Sequence, residues 1–199
     1  MSGAPSTGAT TTAICARAIG SDLVALSAFD TLVRKMGYKD VLCSLSREEL
    51  WMLSFELSDT DAGNVTRMLA EKTGVFINPN THTHVIVLSN ETLPHGSRQK
   101  REELCIGVWS VEDPQMEPVT IAVRERMGIV SLKALKRLTL WWPRFVTPTR
   151  DIALSMVPTL SRKQGLLANP HYQCWSIIER GLKPGELLRI TRDTERGLT

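Results

Sequence analysis

Two histidines separated by one residue, His82-Thr83-His84, place two imidazoles on one face of an extended chain, a spacing that could hold a metal ion. No acidic or cysteine cluster stands near them in sequence, so the pair reads as surface or interface histidines, with no metal ligand assigned. Cys15, Cys43, Cys105 and Cys174 are far apart and form no CxxC. That spacing suits neither zinc nor a disulfide scaffold, and each thiol reads as a buried, reduced side chain without a positioned base to activate it. The stretch Lys133–Phe145, KALKRLTLWWPRF, combines cations with two tryptophans and could neutralise and stack on a nucleic-acid strand. A nucleotide-dependent enzyme would carry a glycine-rich phosphate loop, and neither GxGxxG nor GxxxxGK[ST] occurs. With no focused pair of carboxylates either, no catalytic residue is assigned.

The elements that would position such residues come from a chain of ordinary composition. Of 199 residues, 42% are hydrophobic and 23% charged, with a formal net charge of +3, which excludes wholesale disorder, collagen and coiled coil. No apolar run reaches the ~18 residues of a membrane helix. Met1–Thr12 is rich in Ser, Thr, Gly and Ala without the basic and apolar segments of a signal peptide; it reads as a floppy tail of a cytoplasmic protein. Charge is uneven: residues 1–91 hold 7 Lys+Arg against 10 Asp+Glu, whereas 92–199 hold 17 against 11. Opposite halves can therefore attract each other.

Sliding the chain on itself by 91 positions superposes two halves. Asp22 falls on Asp113, Met36-Gly37 on Met127-Gly128, Trp51 on Trp142 and Ala62 on Ala153. Leu69, Lys72 and Gly74 fall on Leu160, Lys163 and Gly165, Asn78-Pro79 on Asn169-Pro170, and Ile86 on Ile177. These are punctuation and large apolar residues, which set where elements end and what they bury. The spacing predicts a tandem duplication: a tail over 1–12, one unit over 13–88, an exposed linker over 89–103, a second unit over 104–179 and a charged tail over 180–199. The match of Trp142 to Trp51 assigns both to a core rather than to nucleic acid. At the histidine pair the second copy has Gln173 and Trp175.

Each unit opens with a short apolar strand, Ala13–Ile19 or Leu104–Val111. A helix follows, capped by Asp22 or Asp113; Pro114 suits its first position, and Leu26, Phe29, Val33 and Met36 form its apolar stripe. Gly37 and Gly128 stand where a left-handed C-cap is wanted. Alternation through Val41, Cys43 and Leu45, a polar turn at Ser46–Glu49, and renewed alternation through Trp51, Leu53, Phe55 and Leu57 predict a β-hairpin. In the second copy, through Leu138, Leu140 and Trp142, Pro143 and Pro148 shorten the hairpin's second strand or push it to an edge. A second helix starts near Ser58 or Thr149, and Pro158 falls inside the latter helix, at a cost of about 3 kcal/mol unless the helix is interrupted. A last strand, His84–Leu88 or Cys174–Ile178, closes a β-α-β-β-α-β unit. The expected fold is α+β, with duplicated ferredoxin-like units joined as an intramolecular pseudo-dimer.

An opening strand, Asp-Pro-Gln before a helix ending in Met-Gly, a hairpin, and a helix running into Leu-Leu-Ala-Asn-Pro before a final strand resembles the PurS family, the small subunit of phosphoribosylformylglycinamidine synthase. Asp113-Pro114-Gln115, Met127-Gly128 and Gly165-Leu166-Leu167-Ala168-Asn169-Pro170 carry the likeness, echoed by Asp22, Met36-Gly37 and Val75-Phe76-Ile77-Asn78-Pro79. Met116 and the missing Asp-Pro of the first copy depart from the pattern. The resemblance implies a non-catalytic chain that bridges the synthetase and glutaminase subunits in purine biosynthesis and helps ammonia pass between them. It also implies that ATP and Mg belong to the complex, with no cofactor held by this chain. Asp22, Trp51, Asn78, Pro79, Asp113, Pro114, Trp142, Asn169 and Pro170 become the structural or interface candidates. Two other classes stay open: a tandem module binding a small ligand between its halves, and a nucleic-acid-binding α+β protein.

Overall fold

A computed structural model of the chain describes residues 9–93, 104–146, 150–161 and 164–196, with backbone only at 150. It is a mixed α+β structure built on one antiparallel six-stranded sheet. Strands β1 (Thr10–Ala18), β2 (Leu42–Phe55) and β3 (His82–Val87) come from the first half, and β4 (Cys105–Ser110), β5 (Leu132–Phe145) and β6 (Gln173–Ile178) from the second. Their spatial order, β3-β1-β2-β5-β4-β6, is symmetric about the β2–β5 pair. Helices α1 (Leu23–Lys35) and α2 (Asp59–Lys72) alternate with the first three strands, and α3 (Met116–Ile121) and α4 (Arg150–Met156) with the next three.

Each half therefore runs β-α-β-α-β, and the expected hairpin is one 14-residue strand. The polar stretch Ser46–Glu49 holds no Gly, Pro or Asn to turn the chain, and its side chains find partners in the sheet. The strand's C-terminal part pairs with β1 of its own half, while nearly its whole length pairs with β5. The second half of the predicted hairpin is thus supplied by the other half of the molecule. Pro143 neither shortens β5 nor exiles it to an edge: it lies opposite Leu45 in the central pair. Pairing of β4 to β5 covers only Thr139–Trp141, so at Pro143 the strand has a partner on one side and the absent N–H is tolerated. Pro148 and Thr149 lie outside the described residues.

The helix face of the sheet carries two cores. Ile14, Trp51, Leu53 and Phe55 of the first half pack with Leu69 of α2 and with Val123, which follows α3. Ile106, Val108 and Trp141 of the second half pack with Ala153 and Met156 of α4 and with Ala25 and Leu32 of α1. Each first helix is thus seated beside the second helix of the opposite half, and Tyr38 Oη lies 2.9 Å from Ser155 Oγ across the same junction. The buried stripe of α1 is centred on Ala25 and Leu32, with Phe29, Val33 and Met36 partly buried beside it. Leu26, assigned from spacing to that stripe, is exposed. In α2 the buried line is Ala62, Thr66 and Leu69, flanked by Val65 and Met68.

Several boundaries differ from expectation. β1 begins at Thr10, and Thr12 is fully buried with its Oγ1 2.6 Å from Thr66 Oγ1, so the first strand reaches into the stretch read as a tail. Leu93, in the stretch read as an exposed linker, is buried; 94–103 lies outside the described residues. Past Arg180, where a charged tail was expected, the chain forms α5 (Pro184–Arg196), which lays Leu187 and Leu188 on the opposite sheet face.

The helix expected at Pro114 starts at Met116; Asp113 Oδ1 instead accepts the N–H of Gln115 in a turn. Pro118 then sits in the first helical turn, where its missing donor costs no bond. After Ile121 the helix widens into a π-helical turn over Ala122–Arg126. α4 ends at Met156, before Pro158, which relieves the conflict expected of an interior proline. Pro158 bridges in parallel to Ala168 instead. Gly165, at φ +72°, lies so close that a Cβ there would collide with the Pro158 carbonyl oxygen. This irregular segment leaves Leu160 exposed, whereas Leu69, its match by spacing, is fully buried; Lys163 lies outside the described residues.

Candidate functional site

The two long strands carry one pattern twice. Arg47-Glu48-Glu49-Leu50-Trp51 on β2 and Arg137-Leu138-Thr139-Leu140-Trp141 on β5 share Arg, Leu and Trp at identical spacing, 90 positions apart. Antiparallel pairing sets Arg47 opposite Trp141, Glu49 opposite Thr139 and Trp51 opposite Arg137. The pattern is symmetric about the Glu49–Thr139 pair. The match of Trp51 to Trp142 is therefore off by one residue, and in a strand one residue reverses the face. Trp51 and Trp141 lie on the helix face, while Trp142 lies on the α5 face.

On the helix face each arginine reaches an aspartate ahead of the first helix of its half: Asp22, the N-cap of α1, and Asp113, in the turn before α3. Asp22 caps α1 by accepting the N–H groups of Val24 and Ala25 through Oδ1, at 2.9 and 3.1 Å, and its Oδ2 accepts from Arg47 Nε at 2.9 Å. Burial of this carboxyl opposes ionisation, but the Arg47 guanidinium and the two amides outweigh it and hold its pKa below the ordinary aspartate value. Asp113 Oδ2 accepts from Arg137 Nη2 at 2.9 Å and from Nε at 3.2 Å, and Arg137 Nη1 donates to Gln115 Oε1 at 2.8 Å. The same guanidinium lies over the Trp51 ring, 5.3 Å from its centroid, and Phe76 meets Trp51 edge-on. Between these two ion pairs opens a cleft of ≈ 230 Å³ lined mainly by Arg47, Glu49, Ser110, Asp113, Arg137 and Thr139.

On the α5 face Glu48 Oε2 accepts from Trp142 Nε1 at 3.1 Å and from Cys15 Sγ at 3.4 Å. Burial, and then the Glu48 charge, push the Cys15 and Cys105 thiols well above the ordinary value. Burial and Glu195 raise Cys174. Thiols in such surroundings stay protonated and are poor nucleophiles, as expected of structural cysteines. Cys43 differs, being exposed beside a register shift in β2.

Of the residues singled out from sequence, Asp22, Trp51 and Asp113 converge on the central ladder. Asn78-Pro79 and Asn169-Pro170 do not. They form equivalent turns ahead of β3 and β6, in which Asn78 Oδ1 accepts from the N–H of Asn80 and Asn169 Oδ1 from that of His171, both at 3.0 Å. Pro114 belongs to the turn before α3, and Trp142 to the opposite face. Much of the basic stretch Lys133–Phe145 is committed internally, although Arg144 is exposed. Lys133 pairs with Glu56 at 2.7 Å, Lys136 with Glu195 and Arg137 with Asp113, while Trp141 and Trp142 are buried. His82 and His84 lie on edge strand β3, and among the described residues no group of three or more His, Cys, Asp or Glu converges as a metal site.

Arg47, Arg137, Glu49 and Thr139 were not identified from the sequence. The signal for them is the repeated Arg-x-x-Leu-Trp, visible at an offset of 90 and hidden at 91. No protein-family model matches the chain, and no curated protein does.

Proposed function

We propose that the chain is a non-catalytic assembly subunit, acting as PurS does to hold the synthetase and glutaminase subunits of phosphoribosylformylglycinamidine synthase in fixed relation. In this reading the two halves are copies of one β-α-β-α-β unit, fused into an intramolecular pseudo-dimer. The observation that carries it is the strand order, symmetric about β2–β5, with the first helix of each half seated on the other. A duplicated unit built this way presents two related but different surfaces on one rigid sheet, which suits joining two different enzymes. The job is physical: ammonia passed between active sites has to be kept from bulk water. ATP and Mg would belong to the synthetase, with this chain contacting the protein partners in the cytoplasm.

Reconstitution tests it. Synthetase and glutaminase from the same organism, mixed with formylglycinamide ribonucleotide, ATP and glutamine, should form the amidine efficiently only when this chain is added, and the three chains should co-elute. Glutamine-dependent activity undiminished without this chain would overturn the reading.

A further inference from the structure

We propose that the cleft at the β2–β5 junction binds a free α-amino acid with a small polar side chain, its carboxylate at Arg47 and its ammonium at Glu49. The proposal goes beyond the assembly reading and does not depend on it.

Charge selects the class of ligand. The lining holds two guanidinium groups, Arg47 and Arg137, against two carboxylates, Glu49 and Asp113. A phosphate would face both carboxylates, and a bare cation would face both arginines. A zwitterion satisfies the two signs at once, because its opposite charges are fixed a short distance apart.

Existing bonds select the residues. Arg137 and Asp113 are committed to each other, to Gln115 and to the Trp51 ring, so they form a wall. Arg47 uses Nε for Asp22, and Nη1 has only a 3.9 Å approach to Glu49. Its terminal nitrogens can therefore turn to a carboxylate. Glu49 has no closer partner among the described residues than that approach, and its side chain is 32% exposed. The Ser110 and Thr139 hydroxyls line the same space and can bond to a short polar side chain. A volume of ≈ 230 Å³ falls below the roughly 300–1,000 Å³ of sites for drug-sized ligands, which favours a solute of few heavy atoms.

Duplication explains why the site has a direction. In a dimer of identical chains the residues facing each other at the axis would be the same. Here the frame of arginines and tryptophans is repeated, but its centre is Glu49 on one side and Thr139 on the other. An acid facing a hydroxyl gives a single binding polarity.

The test uses the full chain and thermal unfolding, with each standard L-amino acid added at millimolar concentration. Methylammonium, acetate, inorganic phosphate and amino-acid methyl esters serve as probes of one charge alone. One or a few small polar amino acids should raise Tm saturably, and the single-charge probes should not. Calorimetric affinity for the best amino acid should fall roughly tenfold or more in Glu49→Gln, which keeps the shape and removes the charge. Thr139→Val should weaken binding too, and it supplies the same comparison should the first variant fold poorly. The proposal is overturned if no amino acid shifts Tm. It is equally overturned if phosphate or acetate alone reproduces the shift, or if affinity is unchanged in the folded variants. None of these outcomes touches the reconstitution assay, so the two readings fail separately.

Discussion

At the scale of single residues, Asp22 joins local and tertiary structure, because one carboxylate caps α1 and anchors Arg47 of the central strand. Its pKa is held below the ordinary aspartate value in the folded chain. Its contribution to stability is therefore complete above the unfolded pKa of about 3.9 and is lost as pH falls through the lower folded value. Asparagine caps helices about as well as aspartate, so Asp22→Asn separates the two roles. It should leave α1 helical, weaken folding at neutral pH and flatten the acid limb of stability. Asp22→Ala should cost about 1 kcal/mol more through loss of the cap. Urea midpoints measured from neutral pH to pH ~3 check both; an unchanged acid limb in Asp22→Asn would contradict the ion-pair account. The cysteines give a second residue-scale expectation. Cys15, Cys105 and Cys174 are buried with raised pKa values, and Cys43 is exposed. A disulfide reagent at neutral pH should modify one thiol promptly in the native chain and all four after denaturation, and Cys43→Ser should abolish the prompt reaction.

At the scale of elements, glycines with the same sign of φ do different work. Gly37 lies at φ +82° with open space where a Cβ would go, whereas Gly165 lies at φ +72° against the Pro158 carbonyl. Gly37→Ala should therefore cost only the left-handed strain, about 1–2 kcal/mol. Gly165→Ala adds a collision with backbone that cannot rotate away, and its urea midpoint should fall clearly further. Equal losses would show that the segment after α4 yields freely. Elements marked by such punctuation were legible in the sequence: Asp22 and Ser58 cap the helices expected of them, and the paired Asn-Pro turns precede the last strands. What misled was polarity inside β2. Ser46–Glu49 looks like a turn because its partners, Asp22, Trp142 and β5, are distant in sequence or in the other half. The candidate site was hidden for a related reason. The Asp22/Asp113 pair and the Asn-Pro turns repeat at 91 and the central strands at 90, so a single offset aligns the turns while exposing the wrong face of β5. Among the described residues α5 has no counterpart in the first half, so internal comparison did not announce it.

At the scale of the molecule, the exchange of first helices makes the halves interdependent. Remove the second half, and Ile14, Trp51, Leu53 and Phe55 lose the cover that Val123 and its neighbours provide. Remove the first, and Ile106, Val108 and Trp141 lose Ala25 and Leu32. Either loss also strips one side of a central strand, leaving β2 or β5 as a long bare edge. A half of this size has a thin core to begin with, and the exposed apolar face is too large a fraction of it to leave wet. Two chains cut between residues 93 and 104 should therefore give no folded monomeric half. Each piece alone should be disordered or should self-associate by repeating the β2–β5 contact with its own copy. Mixed together, the two should recover the compact species, the Lys133–Glu56 contact at 2.7 Å helping to select the heterologous pairing. The linked chain should be more stable than the mixture at micromolar concentration, because the connection holds the halves at an effective concentration in the millimolar range. Size-exclusion chromatography with light scattering, and chemical unfolding of the pieces alone and together, decide the matter. A half that ran as a monomer and unfolded cooperatively would show that the helix exchange is ornamental and that the two cores close by themselves.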